Sequence, residues 1–235
     1  TMITAVISGK GAPGATTVAL AMALSWPRPV LLIEADPAGA SIPFGYGAGA
    51  DMAGHGLAAV PVAERRTGTA EAITANLVQL VDTCWLLPGV ASSTQAATIN
   101  YGRIGQALPN LGLDVIVDVG RIPAPVRHDA IWVGADRVLL ATRATLPAVH
   151  AAQTAGAIAR ELVGSATLRS VIIGPGRPYA RAEIEAAMRP VAPVITTIDW
   201  DPAAAGVLAD AAPPLRHLER STLLRSAATL GQMIL

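Results

Sequence analysis

Residues 8–17 read SGKGAPGATT, a run of small residues that ends on two threonines. Gly9 and Gly14 carry the glycine spacing of the phosphate-binding pattern G-x-x-x-x-G-K-[ST], and Thr16 stands at its hydroxyl position. Loops of this kind turn backbone N–H groups inward around an anion, and the helix they open adds its positive dipole end. The expected chemistry is phosphate binding along Gly9, Lys10, Gly11, Ala12, Gly14 and Ala15, with Thr16 offering a hydroxyl to Mg2+ and Thr17 a further phosphate contact. One part is displaced. Ala15 occupies the place of the pattern's lysine, and Lys10, directly after the first glycine, is the only lysine in a chain with 17 basic residues.

Two acidic segments add to this picture. In VIVDVG, Asp118 ends an apolar run, where a carboxylate can hold Mg2+ through water; Asp114, at the start of that run, reads as a strand opener. In LLIEADPAGA, Glu34 and Asp36 close another run. One such Asp means little, because Asp is a common turn former. Carboxylates after several parallel strands converge on one end of a sheet, where ligands bind. A metal held by side chains alone is not expected, since Cys84 is the single cysteine and His55, His128, His150 and His217 are scattered. Cys84 itself reads as a buried apolar thiol.

The elements that would position these residues are legible as alternation. Apolar runs at 2–8, 29–35, 83–89, 114–120, 137–143, 169–174 and 193–199 are mostly continuous, as parallel strands covered on both faces are. Helical segments at 16–26, 92–107, 145–163, 181–189 and 203–210 lie between them. The expected fold is α/β: a doubly wound, mostly parallel sheet of seven or eight strands with helices on both faces. The Gly-, Ala- and Pro-rich stretch 37–62 is either a mobile loop at the ligand crevice or a plain surface connection. At the C-terminus, Leu223, Leu224, Ala227, Leu230 and Ile234 share one helical face, expected to pack on the domain, with membrane targeting as the alternative.

Composition narrows the class. The chain has 235 residues, 52% hydrophobic and 14% charged, which excludes extensive disorder. A formal net charge of zero argues against a globally basic nucleic-acid binder, although Arg65, Arg66, Arg181, Arg189, Arg216, Arg220 and Arg225 leave room for a local patch. No stretch reaches the roughly 18 apolar residues of a membrane span. TTVALAMALSWP reads as a helix after the glycine loop rather than a signal-peptide core. The expected location is the cytoplasm, with peripheral contact at the inner face of the membrane left open.

Together SGKGAPGATT, LLIEADPAGA and VIVDVG resemble the ParA/MinD family of dimerising ATPases with a deviant Walker A loop. The ending G-A-T-T looks like the CpaE/TadZ-type members that position Tad-like pilus machinery, and ATRATLPAVHAA and IDWDPAAAGVLADAAPP look like later segments of the same family. The resemblance places residues 1–235 in one nucleotide-binding domain. It implies ATP and Mg2+ as ligands and a homodimer that sandwiches nucleotide. Lys10 would reach across to the other subunit's phosphates and supply in trans the charge absent at Ala15. Thr16 would bind Mg2+, Asp118 would hold its water shell, Asp36 would orient the attacking water, and Pro202 would line the nucleotide site. A protein partner in a membrane-associated pilus or secretion machine is implied, and hydrolysis should be slow.

The chain departs from that pattern at Pro13, which lacks an N–H, and at Ala12, which replaces a glycine. IIGPGRPY contains no counterpart of the family's adenine-contacting Asn. A non-hydrolysing scaffold of the same fold is the alternative, and a DNA-partitioning ATPase would need the basic surface that net neutrality disfavours.

Overall fold

Each of the seven apolar runs forms a strand, and an eighth joins them. The computed structural model describes residues 1–10, 14–48 and 51–235. In chain order the elements are β1 (Ile3–Ser8), α1 (Ala15–Leu24), β2 (Val30–Glu34), α2 (Val60–Thr67), α3 (Thr69–Thr74), β3 (Val78–Val81), β4 (Cys84–Leu87), α4 (Ser93–Ala96), α5 (Tyr101–Ala107), β5 (Asp114–Arg121), β6 (Arg137–Arg143), α6 (Leu146–Val163), β7 (Leu168–Ile173), α7 (Arg181–Met188), β8 (Val194–Ile198), α8 (Pro202–Ala209) and α9 (Thr222–Ile234). The sheet order is β3-β4-β2-β5-β1-β6-β7-β8. All pairs are parallel except β3 with β4. The doubly wound, mostly parallel α/β sheet of seven or eight strands expected from the sequence is observed with eight.

Side chains alternate across a strand, so each central strand feeds two cores. Val6, Leu32, Ile116, Leu139 and Val171 pack under α1, α8 and α9. Their neighbours Ala5, Ile33, Val117, Leu140 and Ile172 face the layer that contains α3, α5 and α6. This parity also sets the site. Glu34, Asp118 and Arg143 follow Leu32, Ile116 and Ala141 by two residues, which puts all three side chains on the α1 face.

The edge strand β3 was not among the expected runs. VQLV alternates half-buried with exposed residues, as an antiparallel edge strand does, and lacks a continuous apolar signal. The helix expected over 92–107 is two helices: the Asn100 side chain accepts from Arg103 N–H at 3.1 Å and starts α5 afresh. In the stretch left open at 37–62, residues 37–48 are tied down. Ala40 donates to Val90 O, Tyr46 to Leu208 O and Gly47 to Ile42 O.

Two structural devices hold α1 to the sheet. Asp114 accepts from Met2 N–H at 2.8 Å, Trp26 Nε1–H at 2.9 Å and Arg28 Nε–H at 2.8 Å. Burial alone would raise its pKa, but the Trp26, Met2 and Arg28 donors hold it below the ordinary value. Asp114 is thus the strand opener expected. The second device is α9, capped by Ser221, whose side chain accepts from Leu224 N–H. The face of Leu223, Leu224, Ala227, Leu230 and Ile234 is buried in the α1-side core, as the packing expectation required. Leu230→Ala should therefore cost about 2–5 kcal/mol in urea unfolding, the range for a fully buried leucine. No helix among the described residues is long and apolar enough to cross a membrane.

Candidate functional site

The site begins where β1 passes into α1. Gly14 caps the helix with φ 89° and ψ 25°, the left-handed region that a glycine enters at no steric cost. Its carbonyl accepts from Val18 N–H at 2.9 Å. Among the described residues no side chain caps α1, and its first turn carries no acid; the N–H groups of that turn have no intrahelical partner and present the positive dipole end. Ala15 is buried in the core, so the position of the pattern's lysine carries an inward-packed methyl group. Thr16 and Thr17 are half-buried at the helix start.

Beside this turn stand the carboxylates. Glu34 and Asp118 are paired residues of β2 and β5. Asp118 is fully buried; its Oδ1 accepts from Gly120 N–H at 3.2 Å, while Oδ2 has no partner among the described residues. Burial pushes its pKa up to about 7. The Thr16 hydroxyl works against that shift, whereas the negative charges of Glu34 and Asp36 add to it. Thr16 lies close enough to steady the charge, yet among the described residues no hydrogen bond closes on Oδ2.

Glu34 converges on this end of the sheet as expected, but its oxygens are engaged elsewhere. It accepts from Ser41 N–H, from Ile42 N–H at 2.9 Å and from Gly89 N–H at 3.2 Å. Burial outweighs these bonds and leaves its pKa raised. Glu34 organises the loops after β2 and β4 rather than facing a ligand. Asp36 is half-buried, with Oδ1 accepting from Ala38 N–H at 2.8 Å. Its carboxylate lies against Gly120, which has φ 75°, and a Cβ there would overlap it. The close approach and the positive φ both require glycine.

A buried carboxyl beside a threonine hydroxyl at a helix start, with one oxygen unpaired among the described residues, fits a hydrated Mg2+ bound with phosphate. Among the described residues no three His, Cys, Asp or Glu side chains are placed to hold a metal by themselves. The fit is therefore to an ion whose other ligands are water and phosphate oxygens, the usual habit of Mg2+.

A cavity of about 270 Å³ opens next to Gly14 and Thr17 and runs to Pro202, Arg143 and Trp200. Pro202 is the first residue of α8, behind Asp201, which caps the helix by accepting from Ala204 N–H at 3.0 Å. Trp200 is 40% exposed and packs on Gly174, in the segment where the resemblance leads one to look for an amide. The guanidinium carbons of Arg143 and Arg177 lie 4.6 and 5.9 Å from the Trp200 ring centroid. Sequence reasoning missed Arg143 and Trp200. Both lie in segments that carry the resemblance, ATRATLPAVHAA and IDWDPAAAGVLADAAPP, but neither residue was singled out there, and only the neighbouring strands reveal the shared cavity.

Lys10 stands apart. It is exposed and lines a different cavity with Arg121, Pro123 and His150. Gly9, expected at the phosphate, packs its backbone against Ala151 of α6, where a Cβ would overlap the Ala151 carbonyl. Gly11, Ala12 and Pro13 lie outside the described residues. The structure thus gathers Gly14, Thr17 and Pro202 along one cavity and Thr16, Asp36 and Asp118 at the neighbouring strand ends. Lys10 is left outside both groups.

No protein-family model and no curated protein matches the sequence. Solved structures do match across the length of the chain. The cell division ATPase MinD of Pyrococcus furiosus superposes with a TM-score of 0.75 at 20% identity, covering 99% of this chain and 98% of that one. A ParA family ATPase from Chlorobium tepidum gives 0.76 at 17%, covering 98% of each chain. The septum site-determining protein MinD of Pyrococcus horikoshii, solved with Mg-ADP, gives 0.74 at 18%, covering 99% and 95%. At these identities the shared property is the fold: the sheet and its helices are those of MinD- and ParA-type ATPases.

Proposed function

We propose that this chain is a slow, dimerising ATPase of the MinD/ParA kind that binds ATP with Mg2+ and acts as a cytoplasmic spatial switch. The G-A-T-T loop ending supports its placement with the CpaE/TadZ-like proteins. Its partner is then a protein of a Tad-like pilus or secretion machine, met at the inner face of the membrane. One observation carries the nucleotide reading: the buried carboxyl of Asp118, whose Oδ2 has no partner among the described residues, beside the Thr16 hydroxyl at the start of α1.

Each residue has a part in this reading. The free N–H groups behind Gly14 bind phosphate oxygens, and Thr16 and Asp118 hold Mg2+, Asp118 through water. When bound, the ion neutralises phosphate charge and fixes the phosphates in line for attack. Asp36, with one oxygen anchored to Ala38 N–H, orients the attacking water. Pro202 packs on the base side of the cavity. Lys10 is exposed and away from its own chain's cavity, which supports a role on the phosphates of a second chain.

The test is sedimentation and phosphate release with Mg-ATP. Wild type should dimerise, and its turnover per chain should rise with protein concentration. Lys10→Ala should remain monomeric and lose at least about tenfold in phosphate release, because transition-state cations supplied in trans carry large rate factors. A Lys10→Ala protein that dimerises and turns over like wild type sinks the shared site. The inward-packed Ala15 methyl favours a second reading, a nucleotide-binding scaffold without hydrolysis. Wild-type phosphate release equal to that of an Asp36→Ala control would select it.

A further inference from the structure

Arg143 closes β6 on the α1 face, two residues beyond Ala141 and four beyond Leu139, which pack in the α1-side core. In the sheet it stands beside Ile173 of β7. Ile173 in turn reaches under the phosphate loop, with its Cδ1 3.6 Å from where a Gly14 Cβ would be. The half-buried guanidinium is thereby held on the wall of the cavity that Gly14 and Thr17 also line.

Among the described residues that guanidinium donates no hydrogen bond and forms no ion pair; its partner is the face of Trp200 at 4.6 Å. The cavity wall does contain carboxylates, but none pairs with it. Asp201 is engaged by the N-terminal ends of α8 and α9, through Ala204 N–H, Thr222 N–H and the Thr222 hydroxyl. Asp199 and Asp210 form no ion pair among the described residues. A guanidinium stays charged at any working pH, and withdrawing it from water without an anion is unfavourable. Here it is placed beside the open positive end of α1, a group of the same sign. Two positive groups face one cavity, and among the described residues no carboxylate of its wall pairs with Arg143.

We infer that Arg143 is the phosphate-binding cation of the monomer's own pocket, supplying in cis the charge that Ala15 lacks. The inference rests on the nucleotide reading above and adds a residue to it. The planar fork of Arg143 suits bidentate contact with phosphate oxygens, and Trp200 holds the fork at the cavity wall when no phosphate is present. Lys10 and Arg143 then differ in a measurable way: the first acts only between chains, the second within one.

Calorimetric titration of ATP, ADP and adenosine at protein concentrations below dimer formation tests this. Arg143→Ala should weaken ATP and ADP by at least about tenfold and leave adenosine within about twofold. Arg143→Lys, which keeps the charge but not the fork, should fall between. Melting curves of both variants report whether the fold is intact. ADP affinity unchanged in Arg143→Ala overturns the inference and leaves the nucleotide reading standing. A parallel loss of adenosine also overturns it, since that marks a collapsed base cavity rather than a lost phosphate contact. Wild type that binds neither ATP nor ADP overturns the nucleotide reading, and the role of Arg143 falls with it.

Discussion

Asp118→Asn should make the ligand-free protein more stable and should remove most of its response to Mg2+. The carboxyl of Asp118 is driven from an ordinary 3.8 to about 7 by burial, with Glu34 and Asp36 adding to the rise. Between those values the folded chain keeps a proton that the unfolded chain has released. Stability therefore falls as pH rises from about 4 to about 7, and is flat above. The difference is worth at most about 4 kcal/mol at 1.36 kcal/mol per pH unit. An amide has no charge to desolvate, so the variant should lose this slope. Its melting temperature at pH 8 should exceed that of wild type by several degrees, at about 2–4 °C per kcal/mol for a chain of this size. The same change removes the carboxylate that would hold the ion's water, and Mg2+ should no longer tighten nucleotide binding. A variant that melts below wild type at pH 8 would show that the buried charge is compensated by something other than the neighbours named here.

Gly120→Ala should cost more than the same substitution at a positive-φ glycine that faces open space, and the excess measures the position of Asp36. At Gly120, with φ 75°, an alanine meets left-handed strain of about 1–2 kcal/mol and its Cβ collides with the Asp36 carboxylate. Gly112, with φ 71°, has nothing within 4 Å of such a Cβ, so Gly112→Ala carries the strain alone. Thermal melts of the pair should differ by the cost of displacing Asp36. Phosphate release should fall to the level of Asp36→Ala in the Gly120 variant and stay unchanged in the Gly112 variant. Equal melts and equal turnover would mean that Asp36 moves aside freely and does not need its place over β5.

What the sequence determined by itself is local. Strands buried on both faces read as unbroken apolar runs, and all seven of those runs form strands. The edge strand β3 escaped because one of its faces meets solvent, although the alternation V-Q-L-V before Asp82 and Thr83 was a hairpin signal available to be read. The passage from strand through glycine loop to helix at 8–17 was legible for the same reason: a strand, a tight turn and a helix start are decided within about ten neighbouring residues. Asp118 at the end of its run and Asp114 at the beginning followed from strand direction alone.

Tertiary structure decided which of these groups can meet a ligand. Glu34 and Asp118 lie on the same face of adjacent strands. Yet the loop after β2 returns Ser41 and Ile42 to Glu34 and satisfies it, whereas among the described residues no donor reaches Asp118 Oδ2. Gly9 fits the phosphate pattern by spacing, but α6 crosses so near that the absence of a side chain is already required for packing. Lys10 lies in the glycine loop after β1 and Arg143 closes β6, and the order of the chain does not say which of the two meets the cavity. Strand pairing does, by placing Arg143 over the cavity at Gly14 and Lys10 outside it. The physical reason is range: backbone conformation and strand burial are set by near neighbours, while the satisfaction of a charge depends on donors and helices brought in from distant parts of the chain.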